Sequence, residues 1–172
     1  MIRFPKFLLV VVVVTAGAGG VSGPAGAAQP CADADTSTSN LSQEDAEAAV
    51  LCLTNAERAN AGLAELTFNG ELTNAARAHA NAAVELKWWE SDADWHTNPN
   101  TASGPQDRMQ EAGYCADGQI ARAAENTYWA GSSGSGAAAP TPADAVNWWM
   151  SSPGHRANIL HANVTEPVSY TI

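Results

Sequence analysis

The chain has 172 residues, 45% of them hydrophobic, with 8 basic side chains against 18 acidic ones and a formal charge of −10 at pH 7. This balance speaks against nucleic acid, whose phosphates need Lys and Arg, and against anionic membrane surfaces. It suits solubility outside a cell and the attraction of cations.

The chain opens with Arg3 and Lys6, then the apolar run Phe7–Thr15, then small residues ending in Ala25-Gly26-Ala27. A charged start, a short greasy run and an Ala-x-Ala exit are the layout of a secretory signal peptide. The run is shorter than the roughly 20 apolar residues of a membrane span. Residues 1–27 are therefore expected to be a leader cut after Ala27 or Ala28. The alternative is an uncut anchor extended through AGAGGV. On the leader reading the protein is secreted, and only this segment meets a membrane. Losing Arg3 and Lys6 takes the formal charge from −10 to −12. About 145 residues remain, enough for one core.

Residues 28–41 are polar and read as a flexible tail, leaving 42–172 as the folded unit. Export makes a disulfide permissible. Of Cys31, Cys52 and Cys115, the pairing favoured is Cys31–Cys52, tying the tail down. Cys115 is then a buried thiol or an intermolecular partner, and three cysteines allow three single pairings.

Ser42 and Asp45 suit a helix cap, and Ala46, Ala49, Val50, Leu53 and Ala56 recur at helical spacing until Gly62. This predicts a helix over 43–61. After an extended link at 66–68, Asn69 caps a second helix over 70–88, with Leu72, Ala75, Ala76, His79, Ala83 and Leu86 on one face. His79 is thus expected as a core histidine held by one hydrogen bond. Residues 90–104 read as loop, and 105–112 as a short helix stopped by Gly113. A strand is expected from the later half of 121–129, then a flexible spacer, GSSGSGAAAP. Thr141-Pro142-Ala143-Asp144 is the strongest helix start in the chain, and Pro153 ends that helix. Gly154 would let the chain reverse and point His155 inward from a loop. Helices first, then alternating strands and helices, predict an α+β domain with helices packed around a small sheet.

No H-E-x-x-H, G-x-S-x-G, Walker or Cys-x-x-Cys pattern occurs. The polar residues that stand out are His96 in the loop, Glu125 entering the strand and His155 after the second tryptophan-rich helix. Taken in order, LTNAERANAGLAELTFNGELTNAARAHA, WHT, DRMQEAGY, AEN and AVNWWMSSPGHRANIL resemble the bacterial branch of the CAP superfamily, the cysteine-rich secretory, antigen 5 and pathogenesis-related proteins. The resemblance runs from about Ala46 to Glu166. It implies an α-β-α sandwich with a central cleft in which His96, Glu125 and His155 converge. Many members add a second glutamate where this chain has Ser152.

What the resemblance implies has a chemical rationale. His96 and His155 offer nitrogen ligands to zinc or another divalent metal, and Glu125 orients an imidazole or a metal-bound water. The competing reading is a hydrogen-bonded polar cluster without metal. The function expected is an extracellular binding module for a metal ion, a lipid, a sterol or a cell-wall component. The alternative is a metal-assisted hydrolase, peptidase-like, with His96, Glu125 and His155 as the catalytic candidates. The six tryptophans are expected in the core and cleft walls, or as a glycan- or lipid-binding groove. The resemblance implies a continuation beyond Glu166 into further strands, one at least and more often two, and Glu166-Pro167 places a residue without an amide hydrogen in a strand position. The C-terminal strands are therefore expected to be missing from this chain.

Overall fold

The computed structural model describes residues 30–88, 94–115, 123–131 and 139–164, with the backbone alone of 6–14 and 166–167. The expected leader residues other than 6–14, Trp89, and spacer residues 132–138 lie outside the described residues.

Local chemistry sets the helix limits. Helix α1 (Gln43–Asn60) starts where the Ser42 hydroxyl accepts from the Asp45 amide at 3.1 Å, and it is followed by Gly62 at φ +71°. Helix α2 (Gly70–Leu86) starts where Asn69 Oδ1 accepts from the Leu72 amide at 3.0 Å. Helix α3 (Pro105–Glu111) is followed by Gly113 at φ +94°. Such positive angles cost a glycine little. Helix α4 (Pro142–Ser151) opens on a reciprocal cap. Thr141 Oγ1 accepts from the Asp144 amide, and the Asp144 carboxylate accepts from the Thr141 amide.

One local expectation is corrected. Pro153 does end α4, but the chain does not enter a loop. It begins helix α5 (Pro153–Ile159), with proline at the first helical position. There the missing amide hydrogen costs nothing and the fixed φ suits the helix. Gly154 has no positive φ, and a Cβ on it would meet nothing within 4 Å, so no reversal depends on it. His155 is a helical residue.

Strand β2 (Ala123–Gly131) pairs antiparallel with strand β1 (Lys6–Val14), and β1 pairs with the two-residue strand β3 (Glu166–Pro167), in the order β2-β1-β3. Val12 lies opposite Glu125, and Pro167 opposite Val13. β3 lies at an edge of this sheet, where proline is tolerated. The architecture is α+β.

Alternate residues of β2 serve two apolar clusters. Ala123 packs with Leu72, Ala76, Met109 and Tyr114 from α2 and the α3 region. Ala124 and Tyr128 pack with Val50, Val146, Trp149 and Ile159 from α1, α4 and α5. The strand therefore presents Glu125 and Asn126 to opposite sides.

Two buried charged groups join the parts. Arg58, fully buried, donates to the carbonyls of Ala64, Ile159, His161 and Val164 at 2.8–3.1 Å, fastening α1 to the segment after α5. Arg77 forks onto buried Glu47 at 2.8 and 2.6 Å, joining α2 to α1. The expected disulfide Cys31–Cys52 is present, and Cys115 is a half-buried free thiol. The stretch expected as a flexible tail also meets the start of α4, through Thr38 N to Pro140 O and Ala143 N to Ala34 O. Among the described residues no helix is long and apolar enough to cross a membrane.

Candidate functional site

His96 sits in a turn that Asp94 organises. The Asp94 carboxylate accepts from the His96 amide at 3.0 Å and from the Thr97 hydroxyl at 2.7 Å. These bonds, the Thr97 one foremost, hold the Asp94 carboxyl below its ordinary range. The turn presents the imidazole to β2, where His96 Nδ1 donates to Glu125 Oε1 at 2.9 Å.

Glu125 is taken up on both oxygens. Its Oε2 accepts from the Arg108 guanidinium at 2.7 Å, and both side chains are almost wholly buried. Arg108, from α3, also donates to the carbonyls of Ser103 at 2.7 Å and His96 at 3.0 Å. One guanidinium thus fixes the carboxylate and the backbone of the histidine that the carboxylate orients. The bond to Glu125 is the main reason that the His96 imidazole holds its proton above the ordinary histidine range, against the opposing effect of burial. With Nδ1 committed, Nε2 is the ring atom left for a ligand.

His155 comes to the same strand by its backbone. Asn126 Nδ2 donates to the His155 carbonyl at 3.0 Å, and Asn126 Oδ1 accepts from Asn158 at 2.9 Å. The His155 ring shares a 2.8 Å hydrogen bond with Ser152 Oγ through Nδ1 and lies 4.8 Å from the Trp148 indole, centroid to centroid. Ser152 is thus the group that orients this imidazole. Burial, then the His96 charge, pushes His155 below the ordinary histidine range. The two rings feel each other electrostatically, although no direct bond joins them.

The sequence expectation for these residues therefore divides. His96 and Glu125 touch directly, and His155 is held one residue along β2 through Asn126. Among the described residues no three His, Cys, Asp or Glu side chains come together in a way that could hold a metal ion. Glu125 is bonded on both oxygens and its side chain is 1% exposed, so the donors more open to a ligand are the two imidazole Nε2 atoms. A closed zinc site takes four protein ligands and a catalytic one three. This pair suits at most a loosely held divalent ion.

His79 takes the core role expected of it. It is buried in α2, and Nε2 donates to the Trp95 carbonyl at 2.8 Å. The tryptophans divide as well. Trp88 and Trp149 are buried and Trp95 is partly buried, whereas Trp129 and Trp148 are exposed. Trp148 contacts both Tyr128 and His155, forming an aromatic wall beside the imidazole. Sequence reasoning missed Arg108 and Asn126. A single arginine in a short helix carries no spacing signature, and Asn126 is marked only by its place after Glu125.

The model of the CAP family, described as the cysteine-rich secretory protein family, matches residues 51–166. The uncharacterized protein YkwD of Bacillus subtilis (strain 168) is 33% identical over 132 residues, which cover 76% of this chain and 44% of that protein. The chain thus spans less than half the length of this relative. No solved structure matches the chain.

Proposed function

The chain belongs to the cysteine-rich secretory protein family, and on that premise we propose that it is an exported binding module rather than a hydrolase. Its ligand sits against His96, His155 and Trp148, on the α-β-α frame and central cleft that the family resemblance implies. The observation that carries this reading is the burial of Glu125 between two partners. A carboxylate gripped on one oxygen by Arg108 and on the other by His96 Nδ1 is an orienting group. A general base needs an oxygen within reach of the proton it removes. What faces outward is a pair of imidazoles beside an exposed indole, a surface for recognition.

The Cys31–Cys52 bond and the leader-like start support export. Cleavage after Ala27 or Ala28 removes β1, and the mature sheet then needs another strand against β2. Intact-mass analysis of the secreted protein reads both the cut and the mature C-terminus.

A divalent ion is a loose occupant that needs both Nε2 atoms. Zinc titration by calorimetry should give weak binding that His155→Ala abolishes. Equal heats from the two proteins would remove metal from the proposal. Trp148 fluorescence should shift saturably with a sterol, a fatty acid or a cell-wall glycan fragment. No response to any of the three would sink the binding role. Peptidase activity that is lost in Glu125→Gln would replace it with the hydrolase reading.

A further inference from the structure

The apolar run that opens the chain has two destinations. Read as a leader, Phe7–Thr15 belongs in an export membrane. In the folded chain Lys6–Val14 is a strand, and it lies between β2 and β3 in the sheet. Its pairing with β2 is unbroken over nine positions, from Lys6 opposite Gly131 to Val14 opposite Ala123. Among the described residues β2 pairs with no other strand, so its ladder bonds all go to β1.

The two destinations exclude each other. In hydrocarbon a segment must satisfy its own amides and carbonyls, which a helix does and a single strand does not. In the sheet the same groups are spent on β2. Helix α2 also lies against β1. A segment held there has to leave its strand before a membrane can take it, and leaving opens the edge of β2.

Sequence order decides which partner comes first. The paired residues are more than 100 apart in the chain. Residues 6–14 are made first, and β2 follows about 5–20 s later at about 5–20 residues per second. Closing so long a loop adds to that delay. An export membrane met in the interval finds the run free. One met after folding finds it in the sheet.

We propose that the flank of β2 is a docking surface for the chain's own leader, and that this docking withdraws the leader from export once the chain has folded. It rests on residues 1–27 being a leader, and the experiment tells failure of the one from failure of the other.

Purified signal peptidase is given the folded full chain and, beside it, a peptide of residues 1–40, which carries the leader without β2. The peptide should be cut after Ala27 or Ala28, and the folded chain at least about tenfold more slowly, because cutting waits for the strand to open. Amide exchange on the full chain then locates the dock. Residues 123–131 should be protected, and Val10→Pro or Val11→Pro should remove that protection while α1 and α4 keep theirs. Successive amides of a strand face opposite edges, so one of the two prolines deletes a bond to β2. A peptide left uncut removes the leader and the proposal with it. A folded chain cut as fast as the peptide overturns the docking and leaves the leader standing. Protection of 123–131 that neither proline changes overturns the docking as well.

Discussion

Glu125→Gln tests the central geometry most directly. The substitution keeps the side chain's size and removes its charge. Arg108 and Glu125 are 6% and 1% exposed at the side chain, so the guanidinium loses its carboxylate where water cannot replace it. Removing one partner of a buried pair costs about 3–5 kcal/mol. The His96 side is 41% exposed and adds little through screening. Arg108 keeps its bonds to Ser103 and His96, which places the loss near the lower end, about 3 kcal/mol. At about 2–4 °C per kcal/mol for a domain of this size, the melting temperature should fall by about 6–12 °C.

Urea unfolding of wild type, Glu125→Gln, Arg108→Met and the double variant measures the coupling. The double should cost less than the sum of the singles by at least about 1 kcal/mol. The variant also carries a pH signature. The folded-state pKa of His96 is raised, chiefly by its bond to Glu125. Its contribution is therefore complete below the unfolded value of about 6.5 and disappears as pH rises through the folded value. Glu125→Gln should flatten that dependence and bring the His96 titration down toward the ordinary value. A loss below about 1 kcal/mol, with the His96 titration unmoved, would refute the clamp.

Three further outcomes follow from the same structure. Arg58→Met should cost at least about 4 kcal/mol in urea unfolding, because it strands four carbonyls that now accept from a buried guanidinium; a loss under about 1 kcal/mol would show that water reaches them. Reducing Cys31–Cys52, which closes a separation of 21 residues, should lower stability by about 3 kcal/mol, and an unchanged unfolding midpoint under dithiothreitol would contradict this. His79 acts against His96 in pH. Burial lowers its folded pKa, so its stabilisation is complete above about 6.5 and declines as pH falls below that toward the folded value. His79→Phe should therefore lose less stability than wild type between pH 7.5 and 5, read as urea midpoints at the two values.

The sequence by itself determined what depends on near neighbours. Ser42, Asn69 and Thr141 start their helices because a side-chain oxygen reaches an amide two or three residues ahead, a contact that any compact form of the chain can make. Gly62 and Gly113 follow α1 and α3 because few other residues adopt their backbone angles. The family was legible because an ordered set of short motifs survives without coordinates. Pro153 shows where local reading ran out. Proline stops one helix and starts another with equal ease, and only packing of Ile159 against Val50 and Trp149 decided that α5 would form and carry His155.

The tertiary structure decided every long-range electrostatic partner. Arg58 finds carbonyls more than 100 residues away, and Arg108 finds Glu125 across 17. No periodicity encodes such pairs, because burial selects them once two elements have already docked. The same holds for the division of labour among the histidines. His79, His96 and His155 are alike as letters, yet burial holds His79 and His155 below the ordinary range while the bond to Glu125 holds His96 above it.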